Sequence, residues 1–262
     1  MSQQYVFGGT EHESELRRLR AIEDIFDPGS EAILESTEIG NGWQCLEVGA
    51  GAGSVAKWIS AKVGPEGKVT ALDLNCRFLS HLSEDNISVL EGDFHTLDLH
   101  GGYDLVHARY VLVHDSTPAQ TIARMLELLK PGGWIVLEEP DFSAARAATG
   151  PTDGVEAFEK VRQAIYHMYN AKGTDWSIGI KLPAILNQMR CENIFAEQEA
   201  PLTKGGSGIA SMMRQSADQL KDKYLETQAL SEQELEAYVH FTEVSSSWAV
   251  YYATIRVRGQ KK

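Results

Sequence analysis

Over residues 11–26 the apolar positions Leu16, Leu19, Ile22, Ile25 and Phe26 recur at helical spacing and share one face. Asp27-Pro28-Gly29 reads as a stop to that helix, with a second short helix expected over 30–37. The period then changes. Residues 43–48 (WQCLEV) form a compact apolar run of strand length, and SVAKWISAKV at 54–63 returns to helical spacing behind a cluster of glycines. KVTALDL at 68–74 predicts a strand, RFLSHLSE at 77–84 a helix, ISVLEGD at 87–93 a strand, and YDLVHA at 103–108 another. Pro118 suits the first turn of a helix running to about Lys130, because its fixed φ is helical. Pro131-Gly132-Gly133 breaks that helix before the strand WIVLEE at 134–139.

Apolar strands alternating with helices predict an α/β fold whose mostly parallel sheet is covered on both faces. Beyond Asp141 the rhythm differs. Val155, Phe158, Val161, Ile165, Met168 and Tyr169 mark an amphipathic helix over 153–171, and KLPAILNQM at 181–189 a helix leading to the strand NIFAEQEA at 193–200. Ile209, Met212, Met213, Leu220 and Tyr224 keep helical spacing within an insertion over 207–242, which ends in a helix near 231–242. SSSWAVYYATIRVRG at 245–259 reads as one long last strand. With no repeat or low-complexity linker, the chain reads as one domain: a helical lid over 1–40, a core over 41–141, and substrate-side helices and final strands over 142–262.

Charge narrows the partners. The net charge of −13 over 262 residues is spread along the chain, which disfavours the Lys and Arg stripes of a nucleic-acid surface. The polar start and the lack of any run near the ~18 apolar residues of a membrane span predict a cytoplasmic chain. Cys45, Cys76 and Cys191 lie far apart and odd in number, so neither a zinc site nor a disulfide framework is expected.

The candidate chemistry starts at Glu47-Val48-Gly49-Ala50-Gly51-Ala52-Gly53. A strand ending in a glycine turn at a helix N-terminus suits a nucleotide-type ligand. A dinucleotide fold carries G-x-G-x-x-G over a pyrophosphate. This chain has G-x-G-x-G with a carboxylate two positions ahead, which suits a ligand with a cationic amine and sulfonium. Asp73 ends the second strand, where a carboxylate can accept hydrogen bonds from both ribose hydroxyls. Asp93 ends the third, beside the apolar edge of Phe94, placed to accept the exocyclic amine of adenine.

With LEVGAGAG at 46–53, ALDL at 71–74, EGDF at 91–94, YDLVHARYVLVH at 103–114 and LKPGGWIVLEEPD at 129–141, the chain resembles the class I S-adenosylmethionine-dependent methyltransferases. The resemblance implies a doubly wound, Rossmann-like sheet of seven strands with the last antiparallel, and S-adenosyl-L-methionine across the carboxyl ends of the first strands. Gly49, Gly51 and Gly53 would approach its methionine part, with Glu47 near the amine. Asp73 and Leu74 would hold the ribose, Asp93 and Phe94 the adenine, and Arg109 would pass beside the sulfonium. An N-terminal tyrosine covers the methionine carboxylate in relatives, which makes Tyr5 a lid residue by analogy.

His107-Ala108-Arg109-Tyr110 stands where base-modifying relatives carry an Asn- or Asp-Pro-Pro-aromatic signature, and it lacks the acid of metal-dependent relatives. No metal is therefore expected. His114 is the candidate catalytic base, its structural alternative being a hydrogen bond at the turn into the next helix; His107 reads as a core histidine. Glu139 and Asp141 follow the fifth strand, where either would orient a nucleophile. Tyr166, Tyr169 and Trp176 are the candidate substrate residues above the crevice at the strand ends. The 207–242 insertion either closes the site or forms a homodimer face, and Asn193 is expected to be left-handed after the sixth helix. The expected activity is in-line methyl transfer to an O, N or C nucleophile of a small molecule. The alternative is a non-catalytic S-adenosylmethionine-binding module, and a nicotinamide-dependent oxidoreductase is disfavoured by the glycine spacing and Glu47.

Overall fold

A computed structural model describes residues 12–262. In chain order these form α1 (His12–Glu35), β1 (Gln44–Val48), α2 (Ser54–Val63), β2 (Lys68–Asp73), β3 (Ile87–Glu91), β4 (Tyr103–Arg109), α3 (Pro118–Leu128) and β5 (Leu129–Asp141). There follow β6 (Arg146–Thr149), α4 (Thr152–Ala171), α5 (Ile178–Gln188), β7 (Glu192–Glu199), β8 (Thr203–Lys204), α6 (Gly208–Gln219), α7 (Lys221–Glu226), α8 (Glu232–Glu243), β9 (Trp248–Val250) and β10 (Ala253–Gln260).

Seven strands make the main sheet, in the order β3-β2-β1-β4-β5-β10-β7. The first five are parallel, and β10 enters antiparallel between β5 and β7. Strand residues alternate between two apolar layers. Leu46, Val106 and Ile135 pack on the side of α3, α4 and α5, while Cys45, Leu105 and Val136 pack with Val55, Ile59 and Val63 of α2 and with Ile33 and Leu34 of α1. The sheet is therefore doubly wound. Its order reverses between β1 and β4, where a crevice opens at the carboxyl ends of the strands. Among the described residues no helix is long and apolar enough to cross a membrane.

Four elements depart from the sequence reading. Helix α1 runs through Pro28 without stopping. Phe26, Ser30, Ile33 and Leu34 on both sides of it are all buried, so tertiary packing outweighs the N–H that proline removes. Gly29 has its own reason for being there: a Cβ at that position would overlap the Arg256 guanidinium. Residues 77–84 form no helix beyond a 3-10 turn over Cys76–Phe78, because Asn75 Oδ1 caps Arg77 N and Glu91 Oε2 takes Cys76 N. The last strand is split at Tyr251-Tyr252, and β9 joins β6 and β8 in a separate three-stranded sheet that the periodicity did not reveal. Asn193 is left-handed as expected (φ 49°), but it lies inside β7, and the left-handed residue that directly follows α5 is Arg190 (φ 62°).

Candidate functional site

The glycine turn is anchored to the neighbouring strand. Gly49 N and Ala50 N both donate to Leu72 O, at 2.8 and 3.0 Å, and Gly51 N donates to Asp73 Oδ2 at 2.9 Å. All three glycines have positive φ (73°, 59° and 92°), which only glycine adopts without strain. At Gly49 the space is closed as well, since a Cβ there would overlap the Val111 side chain. The turn thus presents bare backbone to a cavity of about 480 Å³.

That cavity collects the expected cofactor residues: Glu47, Gly49, Gly51, Asp73, Leu74, Asp93, Phe94 and Arg109 all line it. Gly53 does not; it is the N-cap residue of α2, one step beyond the lining. Asp73 is fixed by Gly51 N and by Asn75 N (3.0 Å to Oδ1), and burial raises its pKa against the pull of those backbone donors. Asp93 Oδ1 accepts from His95 N at 2.9 Å, a tight turn that swings Phe94 inward, where it is 6% exposed.

Beneath the crevice a row of charges crosses the sheet, and its core is fully buried. His107 Nδ1 lies 2.6 Å from Glu47 Oε2, and its Nε2 lies 2.9 Å from Glu138 Oε1. Arg256 Nε donates to Glu138 Oε2 at 2.9 Å. Burial opposes the charged ring of His107, but the Glu47 and Glu138 carboxylates override it and push the group up to about 9. Burial likewise opposes the Glu138 carboxylate, and His107 brings it down to about 2. His107 is thus a core histidine, but one that grips the acid expected to face the cofactor. Arg109 turns toward α1, where its Nη1 donates to Asp27 Oδ1 and Ser30 Oγ, both at 2.8 Å. That clasp joins the cavity floor to its helical cover.

The acceptor end differs from the expectation in part. His114 and Tyr169 line the cavity, with rings 6.1 Å apart and 28° from parallel. Burial, with Arg18 and Lys172 nearby, lowers His114 to about 3, so it is a neutral imidazole at pH 7. Tyr166 and Trp176 are not brought to the cavity; they pack on each other, 5.2 Å apart, and Tyr166 is 43% exposed. The phase of α4 explains this: Ile165, Met168 and Tyr169 share the inward face, while Tyr166 is turned away by about one residue's rotation. Glu139 accepts from the N–H groups of Val111, Leu112 and Val113 at 2.9, 2.7 and 3.0 Å, which makes it a backbone cap; burial raises it to about 8. Asp141 caps Ser143 in the same way.

Sequence reasoning missed Glu15, Arg18, Phe142 and Tyr252, which also line the cavity. Arg18 Nη2 donates to Glu15 Oε1 at 2.8 Å in a nearly buried pair on α1. The i, i+3 spacing of Glu15 and Arg18 was readable, but their inward direction is set by the crossing of α1 over the sheet. Tyr5 lies outside the described residues.

A strand order of 3-2-1-4-5-7-6 with an antiparallel seventh strand, and an acid-ringed glycine turn at the switch point, define the class I methyltransferase fold. A family model described as "Methyltransferase domain" matches residues 14–175, and the chain belongs to that family. Methyltransferase str3 of Strobilurus tenacellus is 33% identical over 129 residues, covering 47% of this chain and 45% of that protein. Methyltransferase str2 of the same organism is 30% identical over 128 residues, with 47% and 45% covered. The chain thus spans less than half the length of these curated relatives. Among solved structures, phosphoethanolamine N-methyltransferase 2 of Haemonchus contortus, bound to phosphomonomethylethanolamine and S-adenosylhomocysteine, aligns over all of this chain and 60% of its own, at 16% identity and a TM-score of 0.62.

Proposed function

We propose that the chain is an S-adenosylmethionine-dependent methyltransferase acting on a small molecule, by in-line transfer to an O, N or C nucleophile. The observation that carries this reading is the convergence of Glu47, Asp73 and Asp93, from three successive strand ends, on one cavity floored by the glycine turn. The residues fit the cofactor: bare backbone at Gly49 and Gly51 for the methionine part, carboxylates for amine and ribose hydroxyls, and an apolar edge at Phe94 for adenine. Bound S-adenosylmethionine supplies an electrophilic methyl group on a sulfonium. The protein supplies position and water exclusion, and alignment of two reactants is worth about 7–11 kcal/mol of barrier. His114, held neutral at the acceptor end, takes the role of hydrogen-bond acceptor for the nucleophile's proton.

The insertion after β8 is read as a cover for the site, in preference to a dimer face, because Met212, Met213 and Tyr224 turn into the cavity. The free cysteines Cys45, Cys76 and Cys191 suit a reducing cytoplasm. Calorimetric titration with S-adenosylhomocysteine and with NADH tests the cofactor assignment. Binding of the first alone is expected; binding of NADH alone overturns it. Incubation with isotopically labelled methyl donor and a cell extract, followed by mass spectrometry, then reports whether methyl is transferred and to what.

A further inference from the structure

The cavity has a second end, beyond the residues assigned to the cofactor. Met168 and Tyr169 come from α4, Met212 and Met213 from α6, Tyr224 from α7, and Tyr252 from the break between β9 and β10. Phe142, Tyr169 and His114 add a layered aromatic wall, with successive rings 5.7 and 6.1 Å apart and each pair 28° from parallel. Three titratable rings here, those of His114, Tyr224 and Tyr252, are neutral at pH 7. Burial lowers His114 to about 3, and it raises Tyr224 and Tyr252 above the usual phenol range.

Among the described residues, charge at this end comes from α1 and from Asp115, whose buried carboxylate accepts from Thr117 N, Thr117 Oγ1 and Thr121 Oγ1. Glu15 and Arg18 close on each other through two hydrogen bonds, 3.0 and 2.8 Å, with side chains 4% and 8% exposed. Glu23 is held by Arg20 and by Ser54 N, at 2.6 and 3.1 Å. Seating a phosphate or an ammonium here would require opening a nearly buried ion pair and leaving one member uncompensated, which is strongly unfavourable. Ser216 is also spent, since its Oγ donates to Met212 O at 3.0 Å. Among the described residues, the rest of this end is polarisable thioether and ring surface, which favours flat apolar groups.

We infer that the methyl acceptor is an uncharged, largely apolar molecule carrying a planar ring, seated on the Phe142–Tyr169–His114 wall beneath the α6 methionines. This rests on the methyltransferase reading above. A nucleophile on such a ring reaches a site where desolvation costs little, and His114 is the polar group that meets it.

The test is binding, with 1-naphthol as the uncharged planar probe and phosphoethanolamine and ethanolamine as charged ones. Each is titrated into the whole protein with and without saturating S-adenosylhomocysteine, followed by quenching of naphthol fluorescence or by calorimetry. Naphthol is expected to bind and the two charged probes are not. Met213→Lys, which buries an unpaired ammonium, is expected to weaken naphthol by about tenfold or more. Tyr169→Leu keeps the apolar volume but removes the ring, and is expected to weaken it by about threefold to tenfold. Circular dichroism melts verify that each variant folds, and if Met213→Lys does not, Tyr169→Leu and the wild-type probe ranking decide the question. Tighter binding of either charged probe, no naphthol binding, or naphthol affinity unchanged in folded variants overturns the inference. Failure of S-adenosylhomocysteine to bind sinks the proposed function instead, and the naphthol titration without it still decides this one.

Discussion

His107 Nδ1 and Glu47 Oε2 stand 2.6 Å apart with both side chains buried, in register on adjacent parallel strands. The same imidazole reaches Glu138 on its other side, so one cation is shared by two buried carboxylates. Its folded-state pKa, about 9, lies above the unfolded value near 6.5. The stabilisation is therefore complete below about pH 6.5 and is lost as pH rises through 9, by an amount on the order of 3 kcal/mol. Urea midpoints measured across pH 6–10 should fall along that window. In His107→Gln the unfolding free energy at pH 6 should drop, by about 3 kcal/mol or more, and the alkaline fall should flatten. A variant that keeps the wild-type pH slope would assign the slope to another group.

Asp73 ties the glycine turn to β2 through Gly51 N and also faces the cavity. Asp73→Ala should weaken S-adenosylhomocysteine by about 1.5–3 kcal/mol, the range for a hydrogen bond to a charged group. Unchanged calorimetric affinity would remove Asp73 from the ribose assignment.

Gly49 combines a positive φ with a backbone pressed against Val111. Gly49→Ala is expected to cost about 1–3 kcal/mol of stability from the backbone alone and to reduce cofactor affinity further. Adding Val111→Ala should recover the steric part but not the backbone part. Full recovery in a denaturation series would show that the φ requirement is weaker than stated.

His114, lowered to about 3, does not change charge between pH 5 and 8. The pH profile of kcat/KM should therefore lack a histidine limb in that window, while His114→Gln lowers kcat more than it raises KM. A limb near pH 6–7 that vanishes in His114→Gln would show a titrating base at this position.

The unit from β1 through α2 was legible because its signals are local: an apolar run, a turn of three glycines at φ values that favour glycine, and an amphipathic helix. The count of seven strands and the antiparallel last one came from family resemblance, since periodicity alone does not encode them. Pro28-Gly29 misled because a local stop signal competed with packing on both sides of it, and the glycine in fact makes room for Arg256 from a distant strand. Tyr166 and Trp176 misled for a different reason. Aromatic content marks a helix as apolar, but the phase that decides which ring enters the cavity is fixed only when α4 docks. His107 was readable as buried, and its two acidic partners lie 60 and 31 positions away, beyond the reach of any spacing rule.

Because β10 comes after all the other strands in the chain yet sits inside the sheet, β7 has no ladder partner until β10 arrives. At translation speeds of about 5–20 residues per second, that leaves β7 waiting roughly 3–11 seconds on the ribosome. Glu192, Glu197 and Glu199 place like charges along this strand, an arrangement that disfavours pairing of an open edge with another copy of the chain. In the folded sheet Glu197 and Glu199 receive Arg256, its Nη2 lying 2.8 Å from Glu199, while Glu192 pairs with Lys262 at 3.1 Å, so charges that repel a foreign strand attract partners within the chain.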